Sequence, residues 1–412
     1  MIEQAVSEVQ NTHAQGAAGP TDWIAFAQQP HRDDRGAASA GSTVRTVDLF
    51  SSVGGLTLGF ELAASRLALE AFPCAAVDVD PGALAVHARN FGTAAVIRES
   101  VSLVVDYVPH GRGSGASFAY APEVLHPELQ SLTGRADVVL AGPPCQGHSN
   151  LNNHTRRDDP RNELYLTVPA VAVALDAPIV IIENVPEVTR DRSSVVQTAI
   201  ALLEGDGYSI ESGVIRAVDL GWPQTRRRYF LVATKGWRPR PLADVVAQEA
   251  QPVGGVGDLI GDLIDREPDS FMDTSPELSP ENSERIRLLF EENLHDLPNH
   301  ARPDCHKNGT TYGATYGRMR WDKPAPTITT GFSTPGRGRF VHPMRQRVLT
   351  PREAARIQGF PDWFTFEATD APPTRSDLAK WIGNAVPAPL GFVAGLSALL
   401  DSPFATATDS VT

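Results

Sequence analysis

The run Asp137-Val138-Val139-Leu140-Ala141-Gly142-Pro143-Pro144-Cys145 limits the fold most tightly. Its apolar core reads as a short buried strand. Two prolines can neither extend a sheet ladder nor sit inside a helix, so the chain must leave the strand in an extended shape. A cysteine therefore arrives at the carboxyl end of a strand, where open α/β sheets bind ligands. A thiol presented there is a candidate nucleophile. It is equally a candidate for a small apolar filler, and the local sequence leaves the two readings level.

The flanking chain repeats the pattern. Thr46-Val47-Asp48-Leu49-Phe50 reads as a strand, Ser51-Ser52-Val53-Gly54-Gly55 as a tight turn, and Leu56, Phe60, Leu62 and Ala63 as a helix face. A second strand, Cys74-Ala75-Ala76-Val77, ends in Asp78. Glycines let a ligand approach the backbone, a helix start favours its electron-rich atoms, and a carboxylate suits ribose hydroxyls. A nucleoside-containing cofactor is implied. The full Gly-x-Gly-x-x-Gly fingerprint is missing, which disfavours NAD.

Further on, Asp80-Pro81-Gly82 caps a helix to about Asn90, and residues 94–97 look like a strand. Residues 109–135 read as an irregular surface excursion. Residues 150–159 are polar and suit a closing loop, with Gly147 as its hinge. A helix is expected over 161–174 and a strongly buried strand over 178–182, ending in Glu183. An acid there is costly unless used or paired. A helix over 195–203 leads to a strand over 213–218. Gln224-Thr225-Arg226-Arg227-Arg228 then enters another, where side-chain alternation puts Arg226 and Arg228 on one face.

The 412 residues suggest two or three domains, or one with a large insertion. No apolar run is long enough to span a bilayer. Cys74, Cys145 and Cys305 form neither a disulfide framework nor a metal repeat, so a reducing cytoplasm is expected. His148 and His154 lack the spacing of metal ligands. The net charge of −13 argues against nucleic acid only until its distribution is considered. Residues 241–300 hold fourteen acids against three arginines, whereas residues 301–356 hold eleven Lys or Arg against three acids. Charge alone favours a solvated face over a binding surface. Residues 1–45 read as mostly disordered, with a short helix near residues 2–10. Trp23, Ile24 and Phe26 are candidates for docking, at no site that the sequence reveals.

Taken in order, residues 48–55, residues 142–149, Glu183-Asn184-Val185, Gln224-x-Arg226-x-Arg228, residues 349–361 and Gly383-Asn384-Ala385-Val386-Pro387 resemble the motifs of the DNA (cytosine-5)-methyltransferase family. Residues 316–329 resemble its bacterial members. The likeness covers most of 46–396, and the set is far more specific than any one motif. It implies an α/β fold, a doubly wound Rossmann-like sheet that uses S-adenosylmethionine, with a second, smaller DNA-recognition domain. The expected division is 1–45 as a disordered extension, 46–236 as the catalytic and cofactor domain, and 237–375 as the recognition domain. Helices over 376–400 would return to the catalytic domain, before a disordered tail over 401–412. The family usually has glycine where Ser52 stands, and a positive φ there would cost Ser of order 1 kcal/mol. Its Gly-Asp-Ile after the third strand is here Glu99-Ser100-Val101, leaving the adenine contact to Glu99 or Ser100.

By resemblance, Cys145 is the nucleophile, Glu183 contacts ring nitrogen 3 and the exocyclic amine, and Arg226 and Arg228 hold the base carbonyl and nearby groups. Pro144, Gln146, Ser149 and Asn184 would line the base site. Phe50 would stack on adenine, and Ser51, Ser52, Gly54 and Gly55 would form the cofactor turn. Asp78 and Val79 would hold the ribose side, and Ser100, Val101, Pro143, Leu164, Asn384 and Ala385 would complete the pocket. For Phe50 the competing reading is a plain core aromatic; for Arg227 a solvated charge is favoured. No metal is expected. The implied partner is double-stranded DNA, bound by a monomer, with a companion restriction endonuclease as a functional partner. Arg337, Arg339, Arg345 and Arg347 are candidates for phosphate contacts. The amphipathic stretch 283–295 would pack away from DNA, and Thr350, Pro351 and Glu353 start a capped helix with a structural job. Two alternatives stay open: a transfer-RNA cytosine-5 methyltransferase, and a catalytically silent DNA-binding regulator.

Overall fold

A computed structural model describes residues 22–29, 42–144, 160–307, 314–368 and 372–406. Cys145, Gln146, Gly147, His148, Ser149 and the loop beyond them lie outside the described residues, as does the short helix expected near residues 2–10.

Seven strands form one sheet: β1 (Thr43–Leu49), β2 (Glu70–Val77), β3 (Ala95–Ile97), β4 (Val138–Ala141), β5 (Ile179–Asn184), β6 (Tyr208–Arg216) and β7 (Arg227–Lys235). Their order is β6-β7-β5-β4-β1-β2-β3. Every neighbouring pair is parallel except those made by β7, which runs antiparallel to β5 and β6. The order reverses between β1 and β4, the switch point at which such sheets open a crevice.

The strands are apolar on both faces because both are covered. Val138, Leu140, Ile179 and Ile181 face helices α1 (Gly55–Arg66), α2 (Pro81–Phe91) and, near the end of the chain, Ala388–Leu399. Val139, Ala141, Val180 and Ile182 face α3 (Thr167–Leu175) and α4 (Val195–Gly205). Burying each large aliphatic side chain contributes roughly 1.5–3 kcal/mol. The late helix reaches α1 through glycine. A Cβ on Gly59 would lie 2.5 Å from Ala388 O and 2.7 Å from the Gly391 Cα. Backbone thus meets backbone directly behind the turn at residues 51–55.

Residues 237–374 contain almost no sheet. Isolated bridges join Arg318 to Val341, Val341 to Val348, and Gln224 to Ala325. Helix α5 (Pro280–Glu291) buries Ile286 and Leu289 against Leu297, Tyr316 and Val341. It is the amphipathic helix that the sequence predicts, begun three residues earlier. Helix α6 (Pro351–Ile357) opens with the expected capping box: Thr350 N donates to Glu353 Oε2 at 2.9 Å, and Glu353 N to Thr350 Oγ1 at 3.2 Å. Helix α7 (Arg375–Asn384) has its own box, Thr374 with Asp377.

Several expectations need correction. Residues 22–29 are ordered: Asp22 caps a helix over Trp23–Ala27, and Trp23 docks edge-on against Phe392 (5.1 Å) and Trp222 (6.3 Å). Buried Trp23, Phe26 and Ala27 hold a segment whose composition otherwise signals disorder. β1 begins at Thr43, inside the stretch read as an extension. The tail is ordered to residue 406 by a turn of helix, Pro403–Thr406. The strand expected at 213–218 is Tyr208–Arg216, closed by a turn over Ala217–Leu220. Residues 160–166 are a tighter 3₁₀ turn, so the helix proper starts at Thr167. The excursion carries two small ribbons, Val105–Asp106 with Glu123–Val124 and Pro109–His110 with Ser117–Phe118.

Candidate functional site

Strand register builds the site. Leu49 pairs with Val77 on one side and with Ala141 on the other, and Ala141 pairs with Ile182. Phe50, Asp78 and Gly142 therefore leave the sheet side by side along its carboxyl edge, next to Glu183 near the end of β5.

The turn after β1 is strained and tightly supported. Phe50 and Ser52 adopt left-handed conformations, φ 55° and 48°. The positive φ that the sequence raised for Ser52 is present, with its cost of order 1 kcal/mol. Ser52 N donates to Asp78 Oδ2 and Asp80 N to Asp78 Oδ1, each at 2.9 Å, which fixes the carboxylate against the turn. Burial pushes the Asp78 carboxyl up from its ordinary value, against the pull of these two donors. A Cβ on Gly54 would fall 2.2 Å from the Phe91 ring, and one on Gly55 would fall 2.4 Å from Val386 O. The turn thus touches the segment containing Asn384, which is exposed, and Ala385, which is buried.

A nucleoside cofactor fits here. The Ser51 hydroxyl is buried without a hydrogen-bond partner among the described residues. Phe50 is half-buried, and Val79 presents an apolar side chain, 64 % exposed, beside Asp78. Ser100 heads a 3₁₀ turn over Val101–Leu103, its hydroxyl 2.8 Å from Ser102 Oγ; Glu99 is exposed and Val101 buried. Pro143 is buried and Leu164 half-buried.

The other half of the edge carries the acid. Phe230 stands opposite Glu183 in the β5–β7 ladder, so Arg228, two residues away on the same face, lies diagonally across from it. Arg228 Nε reaches Glu183 Oε1 at 2.7 Å. Burial pushes the Glu183 carboxyl up from its ordinary value, and Arg228 and Arg226 pull it back. Asn184 is buried; its Nδ2 donates to Pro143 O at 3.2 Å, tying the Pro-Pro exit to the acid-bearing strand. Pro144, half-buried, is the last described residue before Cys145. Arg227 points the other way: it is 62 % exposed, 3.6 Å from Glu187, the solvated charge the sequence favours.

Arg226 departs from expectation. Its guanidinium is buried, and Nη1 and Nη2 donate to the main-chain carbonyls of Ile328 (2.6 Å) and Ala385 (3.0 Å), with longer contacts to Gly383 O and Gln358 Oε1. Those donors are spent on the protein itself, whereas Arg228 reaches Glu183. The phosphate candidates also need correction. Arg339 pairs with Asp296 at 2.5 Å, Arg345 with Asp265 at 3.1 Å, and Arg347 with Glu353 at 2.7 Å; among the described residues Arg337 alone of the four is exposed without an ion pair. Alternation and charge counts cannot show which acids from the chain's own acidic segment will fold against them.

Two buried groupings went unrecognised. Asp48 Oδ2 accepts from Thr57 Oγ1 and lies 3.3 Å from His87 Nε2, while His87 Nδ1 meets Thr93 Oγ1 at 2.9 Å. This network floors the cofactor turn; Asp48 was noticeable as an acid on a core strand, but not its partners. Gln224 and Gln358, both fully buried, bond to each other at 3.0 Å. Only their place inside the motifs hinted at them.

Comparison with known proteins agrees with this geometry. The profile described as C-5 cytosine-specific DNA methylase matches residues 44–396. The chain is 39% identical to the Type II methyltransferase M1.BsuMI of Bacillus subtilis (strain 168), over 87% of this chain and 81% of that protein. It is 33% identical to the Type II methylase M.HgiDII of Herpetosiphon aurantiacus, over 84% and 92%. A prophage-encoded DNA modification methyltransferase of E. coli superposes with a TM-score of 0.58 at 25% identity, covering 87% of this chain and all of that one. The S. pombe Dnmt2 methyltransferase shares the fold, with a TM-score of 0.56 at 18% identity and coverage of 87% and 100%.

Proposed function

Since the chain belongs to the C-5 cytosine-specific DNA methylase family, we propose that it methylates carbon 5 of a cytosine flipped out of duplex DNA, at a specific sequence, through a covalent adduct with Cys145. The observation that carries this reading is Glu183: a buried carboxyl with a raised pKa, held by Arg228 one strand away from the exit that leads to Cys145.

Phe50, Ser51, Ser52, Gly54, Gly55, Asp78, Val79, Ser100, Val101, Pro143, Leu164, Asn384 and Ala385 would hold S-adenosylmethionine. When bound, it supplies an electrophilic methyl group for carbon 5. The residues of the chain do the rest. The Cys145 thiolate forms a bond to carbon 6, and the ring electrons move toward carbon 5 while Glu183 supplies a proton to nitrogen 3. A carboxyl whose pKa is raised suits that donation. Arg228 holds Glu183 in place and presents its remaining donors to the base carbonyl. Once carbon 5 is substituted, its proton leaves to water, the electron pair expels the Cys145 thiolate, and Glu183 recovers its proton. The target must leave the stack for any of this to occur, with Pro144, Gln146, Ser149 and Asn184 lining its pocket.

In this reading residues 46–236 bind cofactor and base, residues 237–375 read sequence, and the helices over 376–400 return to the sheet. The enzyme acts as a monomer in the cytoplasm, and relatives named Type II methyltransferases support pairing with a restriction endonuclease. Transfer of labelled methyl from S-adenosylmethionine to duplex DNA, in competition with transfer RNA, tests the proposal. Label should enter DNA and be lost with Cys145→Ser. Preferential labelling of transfer RNA, or full activity in Cys145→Ser, would contradict it.

A further inference from the structure

We infer that Gln358 is a positioning residue that locks the cofactor-side loop to the base-side strand. The inference rests on the assignment of Asn384 and Ala385 to the cofactor half. Gln358 follows α6 and is fully buried. Its Nε2 donates to Ile382 O at 2.6 Å and Ala385 O at 3.3 Å. Its Oε1 accepts from Gln224 Nε2 at 3.0 Å and Arg226 Nη1 at 3.4 Å.

The four contacts have one geometric effect. The carbonyls of Ile382 and Ala385 belong to the end of α7, where a helix has no donors of its own left for them. Gln358 supplies them, and Arg226 supplies Gly383 O and Ala385 O from the other side. The loop carrying Asn384 is gripped by two side chains that also grip each other. Gln224 and Arg226 lie just before Arg228, which holds Glu183. A single amide, using its donor and acceptor ends in opposite directions, therefore joins the two halves of the site. Gly383 leaves no slack: a Cβ there would stand 2.3 Å from Thr330 N.

Two variants of the full chain test this. Gln358→Met keeps the volume and removes both ends; binding of S-adenosylmethionine, measured by titration calorimetry, should weaken about tenfold. Gln224→Met removes the shorter of the two bonds to the acceptor end and leaves both donors on the loop. Cofactor affinity should then stay within about twofold, while the single-turnover methylation rate at saturating cofactor falls at least about fivefold. A merely structural tie would lower Tm and leave these values unchanged in the folded protein, and that result overturns the inference. Should Gln358→Met not fold, Gln224→Met decides alone, with wild-type values on both measurements overturning it. Failure of the unmutated protein to bind S-adenosylmethionine would refute the underlying assignment instead.

Discussion

The carboxyl edge of the sheet and the region 237–374 both bury polar groups, but for opposite ends. Along the edge, capacity is left over. Among the described residues the Ser51 hydroxyl has no partner, and Glu183 is engaged through Oε1 while burial raises its pKa. In the later region, the largest charged cluster spends its capacity within the protein. All five donors of Arg356 are taken by Asp262, Asp362 and Leu259 O, and Glu353 holds Arg347 while capping its own helix. Arg356 spends every donor within the protein, whereas Glu183 is held through Oε1 at the edge of the sheet.

Substitution should separate the two. Glu183→Gln should cut turnover by about 10²–10⁴ and change Tm little, because the amide oxygen still accepts from Arg228. A fall in Tm with retained turnover would move Glu183 to the scaffold. Arg356→Met should do the reverse. Stranding Asp362 beside a lost counter-ion should lower stability by about 3 kcal/mol, read by denaturant unfolding, with the single-turnover rate of folded protein unchanged.

His342 sharpens the contrast through pH. Its Nδ1 accepts from Met344 N and Arg345 N at 3.0 Å, and burial pushes its pKa down to about 4 despite Glu353 nearby. The native state keeps it neutral while the unfolded chain protonates near the ordinary value of 6.5. Its contribution is therefore complete above pH 6.5 and lost as pH falls toward 4, to a limit of about 3 kcal/mol. Stability against pH should be flatter over that window in His342→Asn than in the unmutated protein. The smallest effect is expected at the turn: Ser52→Gly should relieve the left-handed strain and raise stability by up to about 1 kcal/mol. No gain in Tm would show that the larger backbone entropy glycine loses on folding offsets the relief of strain.

What was legible in the sequence follows the same division. Strands with apolar runs ending in an acid, a glycine turn or a Pro-Pro step announce themselves, because the pattern is local: Asp78, Pro143 and Glu183 lie where the sequence puts them. The role of Arg226 was not legible. Alternation fixes its face, but only folding brings the carbonyls of Ile328 and Ala385 to it. Nor were the partners of Arg339 and Arg345, since an ion pair across dozens of residues leaves no periodic trace. Trp23 shows the remaining gap: composition registers the polar flanks and misses one indole with a pocket to fill.

The central claim is a thiol and a carboxyl acting on one extruded cytosine. Incubation of the protein and S-adenosylmethionine with random-sequence duplex DNA carrying 5-fluorocytosine tests it most directly, because the fluorine blocks the final proton loss. Denaturing electrophoresis should show protein covalently joined to DNA, absent with Cys145→Ser and much reduced with Glu183→Gln. Complete lack of adduct in the unmutated protein, or an equal yield from Cys145→Ser, would contradict the account.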